Sequence, residues 1–443
     1  MAFLALGSTE CNREKKMLEQ VATKVSEYSK RYGIDFAYII RNEFWVYLRQ
    51  GVLLIVGLAT VVAFARLAPK EIYGQYNFIF AILAIVALVS IPGLDNAVLR
   101  SVARGNDGNY TEAVKTKFLW SLLGIPVLLG TGAYYYHYGT PIIGICLMIS
   151  SVFFPFIYAP EIWKGFVQGK RRFDLMAKYG SMQSTVNAAA IIAILFLNPT
   201  HLVLIVVAHL AVTACLTCFF YLRSQRYIEN KVEDNECVRY GYFLTTANIV
   251  TTLVQNIDKI LIGILLGAPQ LAIYSIALVV PREIRVLLKP AWTPFVPKFS
   301  QDWVKMTYIQ EKARRFILPL ALATLGGSLL YWFFIDDIML LFFSSKYMES
   351  IIYSRILLLS ILASIPTVFL GYFTIAKKNT KAIVLGLYVS PILTLLITCS
   401  FIYLWGIMGA VWALNLGASI QVLLFGVGMR GEKTPLGQQF QSS

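Results

Sequence analysis

The sequence predicts an all-α polytopic membrane protein with twelve transmembrane helices in two six-helix bundles related by pseudo-two-fold symmetry. Three observations predict this class. Of the 443 residues, 57% are hydrophobic and only 14% are charged. Apolar runs of about 18 residues or more recur along the chain, each long enough to cross about 30 Å of hydrocarbon at about 1.5 Å per residue. The number of Lys and Arg residues alternates between high and low from one loop to the next, as the positive-inside rule requires.

Twelve apolar segments are expected to cross the membrane, and we number them as spans 1 to 12 in chain order. Charged residues, or the Gly and Pro residues that favour turns, separate one span from the next. The predicted spans cover residues 45–67, 75–94, 117–137, 140–160, 176–197, 201–222, 241–266, 269–289, 315–335, 352–375, 382–404 and 407–428.

The loop charges orient these spans. With the N-terminus in the cytoplasm, nearly all of the 39 Lys and Arg residues face inside. The exceptions are Arg66, Lys70, Lys346 and Arg355, which face outside, and Lys259, which lies within a span. Both termini are therefore predicted to be cytoplasmic. The net charge of +15 is a signal of topology and needs no nucleic-acid partner to explain it.

One competing assignment concerns residues 260–280, which could form a single span of their own. Asp258 and Lys259 would then lie in a loop, and the cations of residues 282–315 would face outside, against the positive-inside rule. We favour a tight turn at residues 267–269, where Gly, Ala and Pro follow one another. Asp258 and Lys259 then lie inside span 7.

The predicted spans divide the chain into five regions. Residues 1–42 form a cytoplasmic extension, in which residues 12–31 show helical spacing of apolar side chains. This segment is either an amphipathic helix on the membrane surface or a solvated helical tail. The remaining regions are the first bundle (43–222), a cytoplasmic linker (223–240), the second bundle (241–428) and a cytoplasmic tail (429–443).

The two predicted bundles resemble each other. LAPKEIYGQYN (67–77) joins spans 1 and 2, and LLGAPQLAIYS (265–275) joins spans 7 and 8. A second pair, FVQGKRR (166–172) and FTIAKKN (373–379), joins spans 4–5 and spans 10–11. Both pairs fall six spans apart, which indicates an internal repeat. Such repeats are typical of transporters that bind their substrate between the halves.

Residues 65–100 and 256–280 resemble the first hairpin and the seventh and eighth helices of polysaccharide (O-antigen type) flippases. These belong to the multidrug/oligosaccharidyl-lipid/polysaccharide exporter superfamily, and the similarity extends over roughly residues 42–428. The resemblance implies two six-helix bundles arranged in a V, as in MATE transporters. It also implies translocation of an undecaprenyl-pyrophosphate-linked oligosaccharide across the plasma membrane.

Span 7 contains the polar positions that are most unusual for a membrane helix. Thr245, Asn248, Thr252, Gln255 and Lys259 are separated by three and four residues in turn, which places them on one face. Charge at mid-bilayer costs at least about 2.5–3.5 kcal/mol, so this face must meet protein or water. We expect it to line a central cavity. The alternative is a polar seam that packs against neighbouring helices.

Asp258 lies beside this face, and its neighbour on the helix, Lys259, points about 100° away. We therefore expect each to have its own partner. Lys259 would face an anionic substrate, whereas Asp258 would balance a base or carry a coupling proton.

Span 8 ends in a basic stripe at similar spacing. Arg282, Arg285 and Lys289 follow Pro281, and they form either an anchor for lipid head groups or an entrance that captures pyrophosphate. The planar guanidinium group suits phosphate because it can donate two hydrogen bonds at once. Weaker candidates for substrate contact are Arg49, Arg100, Gln183 and Asn187.

These patterns favour a secondary transporter or flippase, not an enzyme. We recognise no nucleotide-binding loop, metal cluster or nucleophile motif, and therefore expect no cofactor, metal or catalytic residue. The expected partners are the lipid-linked oligosaccharide, membrane lipids and either H⁺ or Na⁺. The alternatives are a cation-coupled multidrug exporter, a lipid II flippase and, less favoured, a membrane glycosyltransferase or polymerase. Few intramembrane acids argue against the exporter, and short outer loops argue against the enzyme.

Overall fold

The computed structural model describes residues 36–288, 322, 324–376 and 379–429, and all regular secondary structure in these ranges is helical. The first half contains nine helices, labelled in chain order: α1 (Phe36–Leu67), α2 (Lys70–Val86), α3 (Gly93–Ala103), α4 (Asn109–Leu122), α5 (Gly124–Tyr138), α6 (Pro141–Tyr158), α7 (Trp163–Gly169), α8 (Phe173–Leu197) and α9 (Leu202–Ser224).

The second half begins after the linker. Its helices are α10 (Cys237–Leu265), α11 (Ala268–Leu288), α12 (residues 324–338), α13 (Ser350–Ala376), α14 (Thr380–Val384) and α15 (Ser390–Met429). A π-helical turn, Met339–Phe343, ends α12, and another, Leu385–Val389, joins α14 to α15.

The helices confirm a multi-pass membrane protein. Ten helices in the described part are long and apolar enough to cross a membrane, and each of the twelve predicted spans overlaps described helical residues. The number of twelve spans and a symmetry relation between the halves stay predictions. The amphipathic segment predicted within residues 12–31 lies outside the described residues, as does nearly all of the predicted tail.

Two glycines with positive φ mark turns that the sequence predicts. Gly267 (φ 88°) separates α10 from α11, so Asp258 lies inside α10 and not in a loop. Gly406 (φ 58°) interrupts α15 between predicted spans 11 and 12. A side chain with a Cβ is strained at such φ values, which makes glycine the suitable residue at both turns.

The structure corrects the predicted span 2, which was expected to be one helix over residues 75–94. The helix α2 ends at Val86, and a 3₁₀ turn is followed by Ile91 in the left-handed region (φ 56°). Pro92 follows and directly precedes α3. Proline lacks a backbone N–H, so one continuous helix is interrupted at this position. Asp95 and Arg100 therefore lie on a separate helix, α3.

The two halves meet along a seam formed mainly by α2 and α3 on one side and α10 and α11 on the other. Within the first half, α1 packs on α8, and α6 packs on both α5 and α9. Within the second half, α15 packs on α10 and α13. One apolar core is shared across the seam. A second core, around Trp163 and Tyr110, consists of first-half residues together with Cys237.

Glycines allow the seam to close tightly at two points. We call the first the α2–α11 contact: a Cβ on Gly74 would lie only 1.8 Å from the carbonyl oxygen of Ala268. The second is the α3–α10 contact, where a Cβ on Gly93 would lie 2.4 Å from the carbonyl oxygen of Gly241. There the Gly93 N–H also donates to the Thr245 hydroxyl at 3.0 Å.

The linker between the halves is bonded to the first half. The fully buried Asp107 accepts a hydrogen bond from the Glu229 N–H at 2.8 Å and pairs with Lys170 at 2.7 Å. Burial acts to lower the pKa of Lys170, but its hydrogen bonds to Asp107 and Glu229 outweigh this and raise the pKa. The Asn109 side chain accepts from the Asp234 N–H at 2.7 Å. The linker therefore packs as part of the first half as far as Asp234.

Candidate functional site

The polar face expected on span 7 lies on α10, beside the seam. Thr245 is buried in the α3–α10 contact, whereas Asn248 and Thr252 are half-buried and Gln255 is exposed. Helical spacing alone places these side chains on one face, and packing then gives each a different exposure.

Gln255 lies in the middle part of α10. It is about 15 Å along the helix axis from Thr245 and about 15 Å from Leu265, where the helix ends, at about 1.5 Å per residue. A polar side chain exposed at this depth belongs with water or protein, because hydrocarbon offers it no hydrogen bonds. This part of α10 is therefore suited to contact a polar ligand.

Asp258 and Lys259 form a bonded group inside α10. The buried Asp258 carboxylate accepts a hydrogen bond from the Tyr274 hydroxyl of α11 at 2.6 Å and one from the Lys259 N–H at 2.8 Å. The Lys259 ammonium donates to the Gln255 carbonyl at 2.7 Å and lies 3.3 Å from Asp258. The expectation that these two charges do not pair is therefore wrong, although Asp258 does have a partner on another helix.

The basic stripe of span 8 lies on α11 as far as it is described. Arg282 is exposed and acts electrostatically on Tyr73 of α2, across the seam. Arg285 is half-buried and acts electrostatically on Tyr274 and Asp258. Lys289 lies outside the described residues. The structure thus brings the end of α11 near the Asp258 group, a proximity that sequence spacing alone does not reveal.

Two of the weaker candidates bond within the first half. Gln183 of α8 donates to the Thr217 hydroxyl of α9 at 3.3 Å, and Asn187 donates to the Thr213 hydroxyl at 2.7 Å. These amides therefore join two neighbouring helices. Each amide nonetheless remains half-buried.

The other two candidates are arginines in different surroundings. Arg49 of α1 lies against Gly180 of α8, and its buried Nε has no hydrogen-bond partner among the described residues. Arg100 of α3 stacks over the Tyr240 ring of α10, with 4.7 Å from the guanidinium carbon to the ring centroid. Arg100 therefore contacts α10 of the second half directly. The Arg49 Nε–H group is a hydrogen-bond donor without an acceptor among the described residues.

Two groups that the sequence reasoning missed are buried in the first half. Lys117 of α4 is paired with Asp95 of α3 at 2.7 Å, with 2% of its side chain exposed. The Tyr76 hydroxyl lies 2.6 Å from Nδ1 of His209 on α9. Because Tyr76 corresponds to Tyr274 in the internal repeat, both repeated tyrosines bond a titratable side chain. The repeat is therefore the available signal for His209, whereas Lys117 begins predicted span 3 and resembles the neighbouring loop cations.

The chain also contains an open cavity of about 580 Å³ on the surface of the first half, between α4, the end of α6 and α9. Its lining is apolar, with Phe118, Pro160 and Leu222 among its residues. The cavity lies apart from the polar face of α10, and no residue predicted to bind substrate lines it.

The fold resembles those of solved membrane transporters. The lipid II flippase MurJ in an inward closed conformation is 15% identical, with a TM-score of 0.66 over 88% of this chain and 87% of that chain. An outward-facing multidrug resistance MATE transporter of the MOP superfamily is 13% identical, with a TM-score of 0.57 over 89% of this chain and 95% of that chain. These likenesses confirm an all-helical fold of the MATE and MurJ type.

The sequence also matches one protein family and one individual relative. A putative O-antigen transporter of Shigella flexneri is 21% identical over 254 residues, which are 54% of this chain and 60% of that protein. The alignment thus spans less than two thirds of that relative. Residues 39–303 match the family described as polysaccharide biosynthesis protein, which covers more than half of the chain. The chain therefore belongs to the polysaccharide biosynthesis protein family, as a multi-pass membrane protein with a fold like those of MurJ and the MATE transporters.

Proposed function

We propose that the protein is a flippase that moves a lipid-linked oligosaccharide from the inner to the outer leaflet of the plasma membrane by alternating access. Family membership, the O-antigen transporter relative and the MurJ-like fold support this function. The observation that carries it is the exposed Gln255 on the polar face of α10, between the two glycine contacts of the seam.

The substrate would be divided between two environments. The sugars and pyrophosphate would enter a water-filled space along the seam, where Asn248, Gln255 and Lys259 offer hydrogen bonds and one positive charge. The undecaprenyl tail would stay in lipid, because burying each of its methylene groups in hydrocarbon is favourable by about 0.8 kcal/mol. Such a division avoids taking polar sugars through hydrocarbon.

The cations of α11 would attract the pyrophosphate. Arg282 is exposed beside α2, and Arg285 is partly balanced by Asp258, so Arg282 would be the first positive charge available to an anionic group at the seam. We include Lys289 in this entrance on its spacing alone. In the first half, the unused Nε of Arg49 makes that residue a further candidate for an anionic group.

Arg100, Gln183 and Asn187 have a lesser place in this proposal. Each already has a partner, namely the Tyr240 ring or a threonine hydroxyl of α9. They would contact substrate only after these contacts change.

The proposal also includes the five regions and the cytoplasmic termini predicted from the sequence, as well as coupling to H⁺ or Na⁺. A multidrug exporter has the same fold but carries different substrates. The cations Arg282 and Arg285 beside the seam favour an anionic substrate over a cationic drug. A lipid II flippase would also carry a lipid pyrophosphate, so only substrate tests separate it from an oligosaccharide flippase.

Complementation tests the proposed function directly. A strain that lacks its own oligosaccharide flippase should regain surface polysaccharide when it expresses this protein, as measured by polysaccharide blots. A strain depleted of its lipid II flippase should not regain growth. Rescue of the second strain but not the first would identify a lipid II flippase. Drug resistance without either rescue would identify an exporter.

Variants of α11 test the role assigned to the cations. Arg282→Ala and Arg285→Ala should reduce complementation strongly, and Arg→Lys should restore it partly, because lysine keeps the charge but loses the planar fork. Arg223→Ala on α9 is a matched control, because it also removes an exposed cation from the predicted inner side. If all three alanine variants behave alike at equal protein levels, the α11 cations are topology anchors only.

A further inference from the structure

A cluster of four charges lies in the first half, apart from the polar face of α10. It consists of Asp95 on α3, Lys117 on α4, and Glu161 and Lys164 at and after the 3₁₀ turn that follows α6. Lys117 pairs with Asp95 at 2.7 Å, and Lys164 pairs with Glu161. The two pairs interact, because Glu161 and Lys164 act electrostatically on Asp95, and Lys117 acts on Glu161.

The members of the cluster differ in their access to water. The Lys117 side chain is 2% exposed, whereas those of Asp95 and Glu161 are each 31% exposed. A buried ammonium group must keep an anionic partner, because an unpaired buried charge is strongly destabilising. Protons can reach the two carboxylates, but the lysine between them cannot turn to solvent.

The backbone around the cluster leaves little freedom. A Cβ on Gly165 of α7 would lie 2.2 Å from the Asp95 carbonyl oxygen, so α3 and α7 are in close contact. Gly93, two residues before Asp95, forms the α3–α10 contact with the second half. A movement of α3 would therefore change both the Asp95 pairing and the α3–α10 contact.

Among the residues that the structure describes, Tyr158 at the end of α6 is a further titratable group that interacts with Glu161. The helix α10 contacts α3 next to Asp95 through Gly241 and Thr245, neither of which titrates in the accessible range. The charge balance of the cluster therefore depends on two carboxylates, Asp95 and Glu161, and two ammonium groups, those of Lys117 and Lys164.

We infer that Asp95 binds a proton, that Glu161 is then the alternative partner of Lys117, and that this exchange couples proton movement to the α3–α10 contact. This inference rests on the proposed flippase function. In the state described, Lys117 is paired with a deprotonated Asp95 and the contact is made. A proton that binds Asp95 neutralises it, and Lys117 then turns to the Glu161 carboxylate. The bond between α3 and α4 is lost, and α3 is free to part from α10. Release of the proton reverses these steps.

The test uses purified full-length protein in proteoliposomes that contain pyranine. The probe is a fluorescent, short-chain polyprenyl-pyrophosphate-linked oligosaccharide, and the rate of its flipping is measured with and without an imposed pH gradient. We expect the wild-type protein to flip faster with the gradient and to move protons, as reported by pyranine. For Asp95→Asn and for Glu161→Gln, the ratio of the two rates should fall to one.

A double variant separates coupling from folding. Asp95→Asn leaves Lys117 without its partner and can reduce the amount of folded protein, whereas Asp95→Asn with Lys117→Gln removes both charges. We expect the double variant to restore protein levels but to keep a rate ratio of one. Asp336→Asn is a matched control, because Asp336 pairs with Arg355 at 2.9 Å at an exposed position. This control should keep the wild-type ratio.

Two outcomes would overturn the inference alone. One is a double variant with the wild-type ratio and proton flux, which would make the pair structural. The other is a wild-type protein that flips the lipid at equal rates with and without the gradient. A wild-type protein that flips no lipid under either condition would overturn the flippase function, and the coupling role with it.

Discussion

Tyr274 donates the hydrogen bond that holds the Asp258 carboxylate between α10 and α11. A hydrogen bond to a charged group contributes about 1.5–3 kcal/mol, against about 0.5–1.5 kcal/mol for a neutral pair. Tyr274→Phe should therefore lower the thermal unfolding temperature in detergent more than Tyr331→Phe does. Tyr331 is the matched control, because it is a buried tyrosine bonded to the neutral Ser354 hydroxyl at 2.8 Å. Equal losses would show that Asp258 is uncharged or already satisfied without Tyr274.

Lys259 and Asp258 can be separated by their effects on transport. Lys259 has about a fifth of its side chain exposed beside Gln255, whereas Asp258 is buried. Lys259→Gln should reduce flipping at normal protein levels, and Asp258→Asn should change the pH dependence of flipping. Quantitative blots of the membrane fraction supply the correction for protein level. If activity per molecule stays intact in both variants, the two charges only stabilise the fold.

Residue-scale prediction from the sequence succeeded where a polar side chain interrupts an apolar run. Asp258 and Lys259 stand out for that reason, and the structure places both inside a helix. Lys117 could not be recognised in this way, because it lies at the edge of a predicted span among other loop cations. Its burial depends on α3, a helix that follows an unpredicted break at Pro92.

At the scale of helices, the glycines of the seam determine how closely α2 and α3 approach the second half. Gly74→Ala and Gly93→Ala would force a methyl group against backbone atoms, and overpacking of this kind typically costs about 1–3 kcal/mol. We expect both variants to lose flipping in the vesicle assay. Gly130→Ala is the control, because a Cβ there meets nothing within 4 Å, and alanine favours the helix. Equal activity of all three variants would show that the seam opens without need of these contacts.

Helix existence was predictable because length and hydropathy suffice to identify a membrane span. The turns at Gly267 and Gly406 were predictable for a similar reason, since glycine and proline interrupt helices locally. Which faces of the helices meet was not predictable. Side chains that face lipid and side chains that face the core are both apolar in a membrane protein, so periodicity does not distinguish them. The proximity of Gly74 and Ala268 is one such result.

At the scale of the whole molecule, topology is the property that the sequence predicts most directly and that the helices alone leave open. In a cysteine-free background, Gln270→Cys should react with an impermeant thiol reagent in intact cells. Lys381→Cys, at the start of α14, should react only after the cells are permeabilised, because residues 377–381 are predicted to be cytoplasmic. Lys381 is exposed, unlike the neighbouring Asn379, which is buried and caps α14. The reverse labelling pattern would invert the predicted orientation.

The bonds that hold the linker to the first half have a consequence for how the chain could be divided. Asp234 is the last residue before α10 with a hydrogen bond to the first half, and α10 begins at Cys237, so Asn235 and Glu236 form the covalent bridge. Most of the attraction between the halves is therefore non-covalent. Two separately translated polypeptides that end and begin within this bridge should assemble on their own, with each piece keeping its own anchors. The protein would then behave as a heterodimer whose subunits happen to be joined by two residues.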